Sequence, residues 1–326
     1  MKAIHLIAPE KLELVEIPIP EPKKGEVLIK MAFSPINPSD LAFLTGNYGI
    51  KKPMPVVPGL EGSGTVVASG GGLYGKLLLN KKVACVASPK YDGTWAEYMV
   101  TDATKCIKLK KGVDLDQGSM FFVNPLTALS FIHIAQKGNY GAIVMSAAGS
   151  ALAKMVLYLS KQAGIPFIGL VRKDPQVVDL LGIGASNAFN ITDSDFENQL
   201  KTAVEKYKQI LYLDCVGGGD TPYKILNCLP DNSKMIVYGR MEQALPAVII
   251  PHEMLFHHYS IEGFWLSKKS TEMSFLQTMA NTSKVNKMLA AGFETKIVSK
   301  YGLKEFEKAI FGYYGNMSAG KVLFEM

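Results

Sequence analysis

Residues 142–153 read Ala-Ile-Val-Met-Ser-Ala-Ala-Gly-Ser-Ala-Leu-Ala, and this stretch gives the clearest indication of the fold. A short apolar run ends at small residues, after which apolar residues recur at helical spacing as far as Gly164. The pattern predicts a buried strand, a tight turn and a helix with Gly164 as its C-cap. On the spacing of a GxGxxG fingerprint, the three glycine positions fall at Ala148, Ser150 and Ala153. Because all three are small, we expect the backbone to approach a pyrophosphate at the helix N-terminus.

Short apolar runs alternate with helical stretches through the middle of the chain. Six such runs read as buried strands: Ala142–Ser146, Pro166–Val171, Ser186–Phe189, Ile210–Cys215, Met235–Tyr238 and Ser260–Trp265. Strands of this length with helices between them predict an α/β domain with a doubly wound parallel sheet of the Rossmann type. The residues predicted to hold a dinucleotide at its first turn are Ala148, Gly149, Ser150, Ala151 and Leu152.

The first third of the chain has a different character. Alternating segments such as Glu13–Ile17 and Glu26–Lys30 are separated by proline and glycine, which predicts a compact β-rich module. From about Leu266 the chain returns to mixed helix and strand. The residues alone therefore predict a β-rich part, a Rossmann-like part and a mixed tail.

Composition excludes several classes of protein. With 48% hydrophobic and 20% charged residues over 326, the chain has the balance of a globular protein large enough for two domains. The longest apolar runs, such as Ala142–Ala148, are far too short to span a membrane. Strand-like sequence follows Met1 at once, without the pattern of a secretory or transit leader, so we expect a cytoplasmic protein.

Charge and cysteine spacing argue against a nucleic-acid partner and a structural zinc site. The net charge of +6 comes almost entirely from scattered lysines, with no aromatic-interleaved basic tract, so we expect no nucleic-acid partner. The four cysteines lack the paired spacing of a structural zinc site and are expected to be free buried thiols.

Cations follow the second predicted Rossmann strand. NAD enzymes place an acidic residue some twenty residues after the glycine turn, where it binds the ribose 2′-hydroxyl. Here the strand Phe167–Val171 is followed by Arg172 and Lys173, in a chain whose only other arginine is Arg240. Because a guanidinium binds phosphate bidentately, this position favours the 2′-phosphate of NADP(H).

The string INPSDLAFLTGNYG, residues 36–49, resembles the trans-2-enoyl-thioester reductases, a zinc-independent branch of the medium-chain dehydrogenase/reductase superfamily. Further segments share the resemblance: GTWAEY at 93–98, NPLTA at 124–128, VRKD at 171–174, YGRM at 238–241, GFWLS at 263–267 and GKVLF at 320–324. The resemblance implies a GroES-like catalytic domain over residues 1–118 with 266–326, the tail folding back onto the N-terminal module, and a Rossmann NADP-binding domain over 119–265. It also implies reduction of a carbon–carbon double bond next to a carbonyl.

The resemblance implies roles for individual residues. Tyr48 would stabilise the charge that develops on the substrate oxygen, and Asn37 would donate its amide to the cofactor or substrate. Thr127 would contact the nicotinamide, Asn124 would shape the pocket, and Lys321 would reach the adenosine end of the cofactor. The remaining expected cofactor contacts lie at Rossmann strand ends: Cys215, Gly217, Tyr238, Gly239, Arg240, Phe264 and Trp265.

The metal ligands of the zinc branch are replaced in this sequence. That branch supplies a cysteine from the loop that here holds Asn37, and a Gly-His-Glu whose counterpart is Gly59-Leu60-Glu61. Because Glu61 alone cannot form a zinc site, we expect no metal.

Two other functions remain open at this point. One is an NADPH:quinone or enone reductase with the same fold and cofactor. The other is a non-catalytic dinucleotide-binding protein of the crystallin kind, against which the set of Asn37, Tyr48 and Thr127 argues. Residues 257–263 resemble the strand through which related reductases join their sheets, so we also expect a homodimer.

Overall fold

The structure, a computed structural model, describes residues 1–326. The chain forms two compact units, one made of Met1–Leu126 with Phe275–Met326 and the other of Thr127–Ser274. We call them the catalytic unit and the Rossmann unit. None of the helices is long and apolar enough to cross a membrane.

The strands are β1 (Lys2–Ala8), β2 (Lys11–Glu16), β3 (Glu26–Pro35), β4 (Glu61–Ser69), β5 (Lys82–Val86), β6 (Tyr98–Asp102), β7 (Cys106–Lys108), β8 (Ala142–Met145), β9 (Phe167–Val171), β10 (Asn187–Asn190), β11 (Ile210–Asp214), β12 (Lys234–Val237), β13 (Ser260–Gly263), β14 (Ile297–Gly302) and β15 (Lys321–Glu325). The helices are α1 (Pro38–Leu44), α2 (Leu73–Leu78), α3 (Leu115–Gly118), α4 (Val123–Lys137), α5 (Ala151–Gln162), α6 (Asp174–Gly182), α7 (Phe196–Val204), α8 (Thr221–Leu226), α9 (Pro251–His257), α10 (Leu266–Glu272), α11 (Phe275–Ala290) and α12 (Phe306–Gly315).

The catalytic unit contains a two-stranded sheet, β1-β2, and a seven-stranded sheet with the order β14-β15-β3-β4-β5-β7, in which β6 also pairs with β3. The C-terminal strand β15 lies antiparallel to β3, with Leu323 opposite Pro35. The tail thus folds back onto the N-terminal module, as the resemblance implies. Trp95 and Phe324 meet edge to face in the core, with ring centroids 4.9 Å apart. This packing brings the first residue of β15 close to the loop that follows β3.

A six-stranded parallel sheet forms the Rossmann unit, with the order β10-β9-β8-β11-β12-β13. All six strands lie where the sequence predicts them, each within two residues. Strands β8, β9 and β11 are buried along their whole length, since helices cover both faces of such a sheet. The strand order reverses between β8 and β11, which is the position where open α/β sheets bind their ligands.

The strand expected over residues 257–263 is shorter in the structure. His257 is the last residue of α9, and His258 has a left-handed backbone with φ of 52°. Strand β13 starts only at Ser260, because His258 first turns the chain out of the helix. As the last strand in the sheet order, β13 is an edge strand.

Candidate active site

The sequence Asn-Pro-Ser-Asp fixes the loop that follows β3. Asn37 is the N-cap of α1, and the Asp40 carboxylate accepts a hydrogen bond from the Asn37 backbone N–H at 2.8 Å. This is one half of a capping box. Pro38 stands in the first turn, where its fixed φ suits a helix. The residues of this motif therefore set the start of the helix that leads to Tyr48.

Tyr48 lies on the loop after α1 and is half-buried, with its ring packed against the core around Trp95. The same loop is anchored a few residues further on by Lys52. The Lys52 ammonium donates to the Ser88 carbonyl oxygen at 3.1 Å and also to the Tyr91 carbonyl oxygen. Tyr48 is thus accessible to a ligand, although the loop that carries it is held in place.

The same unit contains a group of buried polar side chains, which we call the buried charge cluster: Asn37, Asp40, Glu61 and Lys321. None of the four is more than 3% exposed. They come from α1, the start of β4 and the start of β15. The cluster therefore joins three segments that are distant in sequence.

The Asn37 side chain bridges the opposite charges of this cluster. Its Nδ2 donates to Glu61 Oε1 at 3.1 Å, and its Oδ1 accepts from the Lys321 ammonium. The resemblance implies that Asn37 donates its amide to cofactor or substrate. In the structure the amide is fully buried and engaged with charged neighbours. Lys321, expected at the adenosine end of the cofactor, lies in the same interior.

Burial shifts the proton affinities of the cluster. Burial, with a further contribution from the nearby Glu61 carboxyl, raises the pKa of Asp40 to about 7. Burial also raises the pKa of Glu61, while the Lys321 ammonium opposes that change. Burial lowers the pKa of Lys321 to about 8, although both carboxyls favour its charged form. Burial therefore brings the pKa values of Asp40 and Lys321 closer together.

Glu61 also holds the start of α4, the helix that carries Asn-Pro-Leu-Thr-Ala. Glu61 Oε2 accepts from the backbone N–H groups of Phe122 and Val123 at 2.9 and 3.0 Å. A carboxylate is favoured there by the unpaired N–H groups and the dipole of a helix N-terminus. Asn124, in the first turn, is half-buried, and Thr127, one turn later, is buried.

In the Rossmann unit, the turn after β8 has the form expected for pyrophosphate binding. Ala147 adopts a left-handed backbone with φ of 48°, and Ser150 caps α5 by accepting from the Ala153 N–H at 3.3 Å. No acidic side chain occupies the first turn of α5. A Cβ at Gly149 would lie 2.6 Å from Gln176 Nε2, so the end of the Gln176 side chain lies over this turn.

Two exposed cations, Arg172 and Lys173, follow β9, as the sequence predicts. Neither makes an ion pair with an acidic side chain, and Lys173 is the N-cap of α6. A small-residue turn at a helix N-terminus, with an unpaired guanidinium after the next strand, fits an anionic dinucleotide with a 2′-phosphate.

A buried carboxylate that the sequence does not mark as a site residue organises the next strand end. Asp214 is fully buried and accepts hydrogen bonds from Ser146 Oγ at 2.9 Å and Tyr212 Oη at 3.0 Å. It also accepts from the Gly217 backbone N–H at 2.8 Å. The last residue of β11 thus fixes the loop that carries Cys215 and Gly217.

The loops after β11 and β12 are in close contact. A side chain at Gly217, which has a φ of 67°, would come within 2.5 Å of the Gly239 carbonyl oxygen, so only glycine fits. Cys215 is buried, and burial raises the pKa of its thiol to about 11. Arg240, expected to contact the cofactor, donates instead to the carbonyl oxygens of Glu242 and Gln243 in its own loop.

Aromatic rings line the remaining strand ends. Phe131 lies between Tyr238 and Phe264, with ring centroids 5.2 and 4.9 Å away. Trp265 is 38% exposed at the start of α10, so of this group it offers the most accessible ring to a ligand. The predicted cofactor residues of the Rossmann unit therefore lie at the end of the sheet where its parallel strands have their carboxyl ends.

Comparisons with known proteins identify relatives of this chain. Residues 23–111 match the family of the alcohol dehydrogenase GroES-like domain. The mitochondrial enoyl-[acyl-carrier-protein] reductase of Arabidopsis thaliana is 30% identical over 258 residues, which cover 78% of this chain and 68% of the plant protein.

Solved structures resemble the whole chain. A protein from Mesorhizobium loti assigned as an NADPH:quinone reductase is 33% identical, with a TM-score of 0.90 over 100% of this chain and 98% of that one. A mutant form of enoyl thioester reductase from Candida tropicalis has a TM-score of 0.81 over 100% and 99% of the two chains. At 21% identity, the second likeness shows the fold alone.

Proposed function

We propose that this chain, which belongs to the medium-chain dehydrogenase/reductase superfamily in its branch of enoyl thioester and quinone reductases, reduces the double bond of a trans-2-enoyl thioester with NADPH. The observation that carries the proposal is the replacement of the metal ligands in a unit that also holds the half-buried Tyr48, on the loop after α1. Where the zinc branch has its ligands, this chain has Asn37, Leu60 and a Glu61 whose charge Lys321 offsets. A phenol is then the group available to stabilise charge on a substrate oxygen.

NADPH, when bound, supplies the hydride that reaches the β-carbon of the substrate. The chain's own residues hold the cofactor and stabilise the product of that transfer. The α5 N-terminus binds the pyrophosphate, and Arg172 with Lys173 binds the 2′-phosphate. Tyr48 donates a hydrogen bond to the thioester oxygen as enolate charge develops. The α-carbon then takes the proton of the Tyr48 hydroxyl, which is replaced from solvent.

A substrate panel tests the proposal. NADPH oxidation is measured with crotonyl-CoA, a simple enone and 9,10-phenanthrenequinone, and we expect the highest kcat/KM for the thioester. A quinone reductase remains the second candidate, because the Mesorhizobium loti relative carries that assignment. A quinone preferred over the thioester at equal concentration would favour this second function. Nothing in the comparisons supports the non-catalytic alternative.

Zinc independence is part of the proposal. The structure brings together no three His, Cys, Asp or Glu side chains that could hold a metal ion. The Lys321 ammonium next to Asn37 would moreover repel a divalent cation at that position. Elemental analysis of purified protein should therefore find no stoichiometric zinc, and activity should survive prolonged chelation. Activity that is lost on chelation and restored only by zinc would contradict this prediction.

We also propose a homodimer that forms through the edge of the Rossmann sheet. Strand β13 has an unpaired edge, and the neighbouring helix α9 exposes Leu255 (70%) and Phe256 (75%). An unpaired edge next to exposed apolar side chains favours association between copies of a chain. Light scattering at micromolar concentration should give the mass of two chains. The mass of a single chain would rule out this interface.

A further inference from the structure

The charged members of the buried charge cluster do not pair directly. The two carboxylates of Asp40 and Glu61 each have their own backbone donors: Asp40 accepts from Leu60 N at 3.0 Å as well as from Asn37 N. The Lys321 ammonium is not within ion-pair distance of either carboxylate and donates instead to Asn37 Oδ1 and, at 3.4 Å, to the Ile36 carbonyl oxygen. The Asn37 amide therefore lies between the cation and the anion.

This arrangement permits one orientation of the amide. With the observed orientation, the carbonyl end of Asn37 faces the Lys321 ammonium and the NH₂ end faces the Glu61 carboxylate. Turning the amide over would place donor against donor at Lys321 and acceptor against acceptor at Glu61. Inside a protein such unpaired contacts are costly, because no water is present to replace the lost hydrogen bonds.

We propose that Lys321 is a positioning residue, whose buried ammonium fixes the orientation of Asn37 and thereby the segments that carry Tyr48 and the start of α4. The inference rests on the proposed function, because it assigns Tyr48 the reacting hydroxyl. The ammonium contacts Ile36 and Asn37, where the chain enters α1 and continues to Tyr48. Through Asn37 it also fixes Glu61, which holds the first N–H groups of α4.

Lys321→Met keeps most of the side-chain volume and removes the charge. The expected result is a kcat for crotonyl-CoA at least tenfold lower, with a Kd for NADPH changed by less than twofold. This split distinguishes positioning from direct cofactor contact at the adenosine end, which would weaken NADPH binding instead. Lys300→Met is the matched control, since Lys300 on neighbouring β14 is 38% exposed and pairs with Asp116 at the surface. Lys300→Met should leave kcat and the Kd for NADPH unchanged.

The pH dependence of stability gives a readout without substrate or cofactor. Asp40, which faces Glu61, Lys321 and Tyr313, has a folded pKa of about 7, above its unfolded value of about 4. Between these values the folded chain binds more protons, so the free energy of unfolding falls as pH rises through that window. Lys321 has a folded pKa of about 8, below its unfolded value. Above pH 8 the unfolded chain therefore binds more protons, and the free energy of unfolding rises with pH.

Lys321→Met should change this profile in two ways. First, the free energy of unfolding should no longer rise above pH 8, because the titrating ammonium is gone. Second, its fall with pH should extend to higher pH, because the ammonium no longer opposes the raised pKa values of Asp40 and Glu61. Urea unfolding of the free protein between pH 5 and 10 measures both changes. An unchanged profile would overturn the proposal, and this measurement holds even if the wild type does not reduce an enoyl thioester.

A double variant covers the case in which Lys321→Met does not fold. The double variant Glu61→Gln with Lys321→Met removes both the carboxylate and the ammonium, so neither is left buried without the other. The amide introduced at position 61 can donate its NH₂ to an Asn37 side chain in the reversed orientation. The double variant should therefore fold with a cooperative urea transition even where Lys321→Met does not, and where both fold its midpoint should be the higher of the two. The contacts of the ammonium with Ile36 and Asn37 are still missing, so kcat should remain at least tenfold below wild type. A double variant with wild-type kcat, or a Lys321→Met variant that loses NADPH binding, would contradict the positioning role.

Discussion

Tyr48→Phe is expected to lower kcat for an enoyl thioester by about a hundredfold or more, because one hydrogen bond to a developing oxyanion contributes about 3 kcal/mol. The substitution removes the hydroxyl and keeps the ring, which packs against the core around Trp95. Loop structure and stability should therefore change little. The measurement is steady-state kinetics with crotonyl-CoA, combined with a fluorescence titration of NADPH.

NADPH affinity should be close to wild type in this variant, because the phosphates are held by other residues. Tyr314→Phe is the matched control, since Tyr314 is 66% exposed on α12, and it should retain full activity. A Tyr48→Phe enzyme with wild-type kcat would leave Tyr48 with a packing role only. A variant that binds neither NADPH nor substrate would show that the hydroxyl is needed for the loop structure, which also contradicts the proposed chemistry.

Arg172→Ala should reduce the preference for NADPH over NADH by more than tenfold in kcat/KM. The guanidinium has no acidic partner in the structure, and a bidentate contact with the 2′-phosphate contributes about 2 kcal/mol. NADH lacks that phosphate, so its kcat/KM should change little.

Lys208→Ala, which removes another exposed cation of the Rossmann unit, should leave the ratio unchanged. If Arg172→Ala also leaves it unchanged, the 2′-phosphate is bound elsewhere. Lys173 would then be the next residue to replace.

Sequence alone predicts the Rossmann sheet well because its signals are local. Apolar runs such as Ile210–Cys215 mark buried parallel strands, and Gly164 ends α5 just after its last helical turn. The position of Arg172 and Lys173 after β9 also follows from chain order. Such features depend on residues that are close in sequence, so they can be predicted from the sequence alone.

The buried charge cluster could not be found in the same way. Lys321 and Asn37 meet across 284 positions of sequence, and only the pairing of β15 with β3 brings them together. A lysine in a Gly-Lys-Val segment gives no sign that it is 3% exposed. Asp40 is a partial exception, because an acid three residues after an N-cap asparagine is a capping signal that sequence could have supplied.

In the proposed reaction, hydride reaches the β-carbon of an enoyl thioester. Reduction of crotonyl-CoA with NADPH deuterated at the transferred position, followed by mass spectrometry and NMR of the product, tests this directly. We expect a saturated butyryl thioester with one deuterium at the β-carbon, formed in equal amount to the NADPH consumed. Recovery of unreduced crotonyl-CoA under conditions in which the same enzyme oxidises NADPH with a quinone would contradict it.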